Sequence, residues 1–213
     1  MQPSSDSGHQ GLQPLYPILD AEAAAARGHD LLACARGFAA LGMETQQLRA
    51  KRLTDRAFLE LADQLMGVVP RLIINDRADI ALLCGAAGVH VGQEDMPVEA
   101  VRRLHPGWMI GASTHSLGQL AAALAQMPDY VAVGPVYATA SKLRPDPVVG
   151  PELVRHARTM TSLPLVAIGG LQVANCAALW QAGADAVAVI SGLWAAEDPL
   201  SAASQFLLAF ARV

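Results

Sequence analysis

Residues 71–91 read RLIINDRADIALLCGAAGVHV, and this stretch holds one architectural unit of the chain. RLIIN (71–75) and GVHV (88–91) are apolar runs of strand length, and RADIALLCG between them has the leucine and alanine content of a helix. Gly85 stands where such a helix ends and the chain turns back toward the next strand. Strand, helix and strand in direct succession are the crossover unit of a parallel sheet.

The same alternation extends in both directions. LYPIL (15–19), TQQLR (45–49), MIGA (109–112), YVAVG (130–134), LVAIG (165–169) and AVAVI (186–190) bring the candidate strands to eight. Helical text separates them, from EAAAARGHDLLACARGFAAL and DRAFLELADQLM through PVEAVRRL, LGQLAAALAQ, PELVRHARTM and VANCAALWQAG to the final PLSAASQFLLAFARV. Several strands are apolar on both faces, as expected when helices cover one side of a parallel sheet and a packed interior fills the other. Eight such units in 213 residues lie near the lower size limit of a single (β/α)8 TIM barrel, the α/β fold class expected here. A doubly wound open sheet is the competing arrangement. In both, ligands gather where strands end and helices begin, so polar residues at the carboxyl ends of strands are the functional candidates. Residues 1–12, MQPSSDSGHQGL, lack periodicity and are expected to form a flexible tail ahead of a barrel domain over 13–213.

Composition narrows the function. With 53% hydrophobic and 16% charged residues, disorder is excluded for most of the chain. A formal net charge of −4 and 15 scattered Lys and Arg leave no basic stripe for nucleic acid. The longest apolar stretches, such as LPLVAI and ADAVAVI, fall short of the roughly 20 residues of a membrane span. The N-terminus has no charged head followed by an apolar core, so no secretory leader is expected. Three cysteines, Cys34, Cys84 and Cys176, show neither a disulfide framework nor metal-ligand spacing. Buried inert thiols in a reducing cytoplasm are the expectation for all three.

Polar groups recur along the strand ends. They are Gln47, Arg49 and Lys51, then Asn75 and Asp76, then His90, Gln93, Glu94 and Asp95, then Ser113, Thr114 and His115. The sixth strand opens into GPVYATASKLRPDPVVG (134–150), where Thr139, Ser141, Lys142 and Arg144 lie between glycines and prolines. An anion site uses nearly all of those groups; a surface turn needs few. The seventh strand leads to Gly169 and Gly170, the eighth to Ile190, Ser191 and Gly192.

In order and at barrel-like spacing, QLRAK, LIINDRADIALLCGAAGVHVGQED, IGASTHS, DYVAVGPVYATASK, AIGGLQVANC and AVAVISGLW resemble the successive motifs of the thiamine phosphate synthase family, a match spanning Leu15 to Pro199. The resemblance implies a transferase with Mg²⁺ as cofactor. Its substrates would be 4-amino-2-methyl-5-hydroxymethylpyrimidine diphosphate and 4-methyl-5-(2-phosphooxyethyl)thiazole, or the carboxylated form of the latter, and its products thiamine phosphate and diphosphate. In that chemistry diphosphate departs first and the thiazole nitrogen captures the pyrimidine methyl cation, so no nucleophilic triad is expected.

Each residue can be weighed against that chemistry. Asp76 and Asp95 are hard oxygen ligands suited, with diphosphate oxygens, to octahedral Mg²⁺; the structural alternative is that they cap helices opening at Arg77 and Pro97. Arg49, Lys51 and Lys142 are the cations expected to neutralise departing diphosphate, with Ser113 beside them as the fourth catalytic candidate. Thr139 and Ser141 add hydroxyl donors. Gly169 and Gly170, with Asn175 just inside the next helix, and Ile190 with Ser191 form a phosphate clamp that resembles the one holding the thiazole phosphate; tight glycine packing is the rival account of Gly170. Gln47 and Asn75 are placed to hydrogen-bond the pyrimidine ring or neighbouring ligands. His90 reads as a satisfied core histidine.

Two other readings compete. A thiazole tautomerase shares the barrel and the phosphate motifs, with His115 acting on protons, and a non-catalytic thiamine-pathway binder would need no chemistry. Asp76, Asp95 and the Thr139 to Lys142 group favour the synthase, since tautomerisation requires neither metal nor diphosphate. Ala50 departs from a frequent glutamate in QxREK, Ala138 from a frequent proline, and Gly42-Met43-Glu44-Thr45 is an atypical approach to the second motif. The partners expected are small molecules and a second copy of the chain in a homodimer, with no nucleic acid and no membrane.

Overall fold

A computed structural model describes residues 12–139 and 147–213. Its strands β1 (Leu15–Asp20), β2 (Thr45–Arg49), β3 (Arg71–Asn75), β4 (Gly88–Val91), β5 (Met109–Thr114), β6 (Tyr130–Val133), β7 (Leu165–Ile168) and β8 (Ala186–Val189) follow one another around a closed parallel barrel. Closure is made by β1 against β8, with Leu15 opposite Val187 and Pro17 opposite Val189. That ladder decides between the two arrangements left open by the sequence, because an open sheet would leave both strands as edges.

Ten helices lie among the described residues: α1 (Ala21–Ala25), α2 (Leu31–Ala40), α3 (Asp55–Met66), α4 (Ala78–Cys84), α5 (Val98–Leu104), α6 (Leu117–Ala125), α7 (Gly150–Met160), α8 (Val173–Gln181), α9 (Ser191–Trp194) and α10 (Pro199–Phe210). The first differs from expectation, since EAAAARGHDLLACARGFAAL is two helices. Gly28 at φ +71° ends the first, and Asp30 caps α2 through the N–H of Ala33 at 3.0 Å. The short α9 was not expected. YVAVG and LVAIG each stop one residue early, before Gly134-Pro135 and before Gly169 at φ +106°. In contrast, β5 continues two residues past MIGA and takes Ser113 into the ladder opposite Ala132.

Two apolar layers result. The outer one packs strands against helices. The inner one fills the barrel with Tyr16, Ile18, Ile73, Tyr130, Ala132, Val166, Ala186 and Ala188, with Leu12, the last residue of the expected tail, packed against it. Small residues on some strands admit large ones on others. Gly111 is the sharpest case: a Cβ there would lie 2.1 Å from the Tyr130 ring and 2.4 Å from His90 Nδ1.

Cys176 is buried, but Cys34 and Cys84 are only half-buried, because they sit on helix faces turned partly outward; all three are free thiols. Burial raises the pKa of each, which keeps them protonated and unreactive. No helix among the described residues is long and apolar enough to cross a membrane.

Trp194 ties α9 to the first strand. Its indole N–H donates to the Ile18 carbonyl at 2.7 Å, and its ring packs edge-on against Phe38. Trp194→Ala is expected to cost about 3–5 kcal/mol of folding free energy. Urea unfolding measures it, and a loss below about 1 kcal/mol would contradict the packing described.

Candidate active site

At the carboxyl ends of the strands the barrel opens into a cleft of about 850 Å³, mouth included. Gln47 and Arg49 reach it from β2, Asn75 from β3, and Ser113 from β5. Thr139 enters from the loop after β6, Gly169 and Gly170 from the turn after β7, and Ile190 and Ser191 from the end of β8. Nine residues expected from sequence thus share one cavity. Ser141, Lys142 and Arg144 fall outside the described residues.

Lys51, Asp76 and Asp95 do not line that cavity; they form a second cluster. Lys51 Nζ pairs with Asp76 Oδ2, and the carboxyl groups of Asp76 and Asp95 come within hydrogen-bonding reach. Neither aspartate caps a helix. Arg77 and Pro97 occupy the N-cap positions of α4 and α5, and neither helix has a side-chain cap. Asp95 Oδ2 instead accepts the N–H of Gly92 at 2.7 Å, closing its own turn, while Asp76 holds a left-handed backbone at φ +64°. Burial, and then the facing Asp76 carboxylate, raise the Asp95 pKa above the usual carboxylate range, against the pull of the Gly92 N–H. Two carboxylates held this close repel unless a cation lies between them or one of them takes up a proton.

Arg49 is pinned by a residue that sequence reasoning missed. Asp20, buried at the end of β1, pairs through Oδ2 with Arg49 Nη1, and Asp20 and Arg49 are register partners across β1 and β2. Its other oxygen caps α1 by accepting the Ala23 N–H at 2.8 Å. The available signal was position: a carboxylate closing an apolar strand. Ala50 packs against the outer core.

Beneath the cleft a polar network crosses the barrel. Gln47 Nε2 donates to Tyr16 Oη at 3.1 Å, Tyr16 and Tyr130 hydroxyls lie 3.0 Å apart, and Tyr130 Oη meets His90 Nδ1 at 2.9 Å. His90 Nε2 then meets Ser113 Oγ at 2.8 Å. His90 is therefore a satisfied buried histidine, as expected, yet it also lines the cleft. Burial pushes both phenols well above their ordinary pKa, so they remain neutral. Tyr16 and Tyr130 stand in apolar runs and read as packing, so the network was not expected.

Gly169 and Gly170 both have positive φ, at +106° and +65°. A Cβ at Gly169 would lie 2.5 Å from Pro135 Cα, and one at Gly170 2.4 Å from the Ala138 carbonyl. Close packing is thus real at both, and it joins the β7 turn to the loop after β6. Asn175 braces that turn, donating to the Gly170 carbonyl at 3.1 Å and accepting from the Gln172 N–H at 2.8 Å. His115, also lining the cleft, donates through Nδ1 to the Gly134 carbonyl.

Comparison with known proteins agrees with this geometry. The family described as thiamine monophosphate synthase matches residues 15–193. A thiamine-phosphate synthase of Koribacter versatilis is 43% identical over 92% of this chain and 95% of its own length. One of Chloroflexus aurantiacus is 40% identical over 90% and 89%. The solved thiamine phosphate pyrophosphorylase of Pyrococcus furiosus superposes with a TM-score of 0.85 at 29% identity, covering 96% of this chain and 98% of its own.

The two roles of Asp20 are separable. Both variants remove the carboxylate that faces Arg49, but Asp20→Asn keeps a capping oxygen, whereas Asp20→Ala loses the cap as well and is expected to cost about 1 kcal/mol more. Chemical denaturation of both variants checks the order, and equal losses would refute it.

Proposed function

The chain belongs to the thiamine monophosphate synthase family, and from that premise we propose that it is a transferase making thiamine phosphate. The substrates in this reading are 4-amino-2-methyl-5-hydroxymethylpyrimidine diphosphate and 4-methyl-5-(2-phosphooxyethyl)thiazole or its carboxylated form; diphosphate is released. One observation carries the proposal: facing carboxylates of Asp76 and Asp95, with Lys51 against them, beside a cleft that holds Arg49 on one side and two glycine-rich turns on the other. A tautomerase acting on one phosphorylated ring has no use for that carboxylate pair.

The donor set fits Mg²⁺, since two hard carboxylate oxygens at neighbouring strand ends leave positions for diphosphate oxygens and water. Bound there, Mg²⁺ would supply charge neutralisation on the departing diphosphate. The chain's own groups do the rest. Gln47 and Asn75 orient the pyrimidine. Arg49, Lys51 and Lys142, with Thr139 and Ser141, bind the diphosphate and stabilise the charge that collects on oxygen as the carbon–oxygen bond breaks. Ser113 stands at the reacting end. Gly169, Gly170, Ile190 and Ser191 seat the thiazole phosphate on backbone N–H groups, so that its ring nitrogen is poised to capture the methyl cation. The apolar floor of Ile18, Ala132, Val166 and Ala188 keeps water from that cation. A homodimer and a cytoplasmic location complete the proposal, the first supported by exposed Leu82 and Leu83 on α4, the second by three unpaired thiols.

The test is an assay of the purified chain with both substrates, with and without Mg²⁺, following diphosphate and thiamine phosphate together. Metal-dependent formation of both in equal amounts is expected; no product with both substrates and metal would refute the proposal. Lys142→Ala is expected to lower kcat/KM by at least about 100-fold, the usual scale for losing one charge-stabilising donor, with little change in unfolding midpoint. Asp95→Asn should in addition weaken the Mg²⁺ dependence, read as a shift of the metal titration to higher concentration.

A further inference from the structure

The polar chain under the cleft has a direction. Tyr16 is 1% exposed and Tyr130 wholly buried, so each phenolic hydrogen must find an acceptor inside the protein. Tyr16 Oη has two polar partners among the described residues, the Gln47 amide nitrogen and Tyr130 Oη. The amide nitrogen only donates, so the Tyr16 hydrogen goes to Tyr130. The Gln47 amide also reaches Tyr130, again as a donor, so Tyr130 must send its own hydrogen to His90 Nδ1. An imidazole that accepts at Nδ1 is neutral and carries its hydrogen on Nε2, which donates to Ser113 Oγ. The Ser113 oxygen is occupied as an acceptor from below, and its own hydrogen is left to point elsewhere. Ser113 lines the cleft.

We propose that Gln47, Tyr16, Tyr130 and His90 act as a polarity relay that makes Ser113 a hydrogen-bond donor, rather than an acceptor, toward the ligand in the cleft. Resting on the synthase reading above, the ligand atom is an oxygen of the diphosphate. As the carbon–oxygen bond breaks, its electron pair passes to that oxygen and the Ser113 hydrogen bond strengthens without transfer of the proton. Tyr16, Tyr130 and His90 touch no reacting atom in this scheme; they are positioning residues. Elevated phenol pKa values, caused first by burial, keep both phenolic hydrogens in place at neutral pH. Gly111 belongs to the same device, because any side chain there would strike both Tyr130 and His90. Gln47 gains a second role, since its amide both faces the cleft and sets the direction of the chain.

The test begins with the ligand-free protein carrying ¹⁵N-labelled imidazoles, the His90 signals being assigned by their loss in His90→Gln. Long-range proton–nitrogen correlation at pH 7 should show His90 neutral, with hydrogen on Nε2 and none on Nδ1; hydrogen on Nδ1, or a cationic ring, would overturn the relay. In Tyr130→Phe the spectrum should change to a mixture of tautomers, with kcat about tenfold lower and KM for the thiazole phosphate unchanged. Wild-type kcat in that variant would overturn the proposal, as would an equal change in KM alone. Should Tyr130→Phe not fold, the wild-type spectrum decides by itself. A wild-type protein that made no thiamine phosphate would refute the catalytic reading, and the nitrogen spectrum would still judge the relay.

Discussion

Everything at the mouth depends on the ladder between β1 and β8. A parallel sheet of eight strands left open would carry its polar ends along a line; closing it bends that line into a ring, so residues from β2 and β8 face each other across one cavity. Parallel strands allow no other placement, because every crossover returns the chain to the same starting side. Arg49 and Ser191, far apart in sequence, thereby line one cleft.

The ring imposes a second constraint, since its interior must be filled and its upper layer must still receive a ligand. Apolar side chains do the filling below, and the tyrosine pair replaces one layer of them with hydroxyls that satisfy each other. A buried hydroxyl without a partner would cost on the order of 1–3 kcal/mol, so the group of five residues stands or falls together. The same economy governs the rim, where cations are held by carboxylates before any ligand arrives: Arg49 by Asp20 and Lys51 by Asp76.

Much of this was legible in the sequence. Strand positions were fixed by short runs such as RLIIN and GVHV, whose ends fall where they were read, and rim residues followed from those ends. Boundaries failed where one residue controls the backbone. Gly28 splits a long alanine-rich segment that has helical composition throughout, and Gly134 and Gly169 end strands whose apolar pattern continues. Asp76 and Asp95 were read as ligands or caps; their capping role is excluded by helices that start after them without side-chain help. Tyr16 and Tyr130 escaped notice because their partnership joins positions more than a hundred residues apart, and no local pattern records it; Asp20 was overlooked although it closes an apolar strand, because its pairing with Arg49 rests on the register between β1 and β2.

The close seating of Gly169 and Gly170 on Pro135 and Ala138 has a consequence for how such barrels diversify. Two neighbouring loops share one backbone surface, so neither can be lengthened, shortened or swapped by itself without opening a gap or a collision in the other. They constitute a single inheritable cassette. Transplanting the turn after β7 would therefore require moving Pro135 to Ala138 with it.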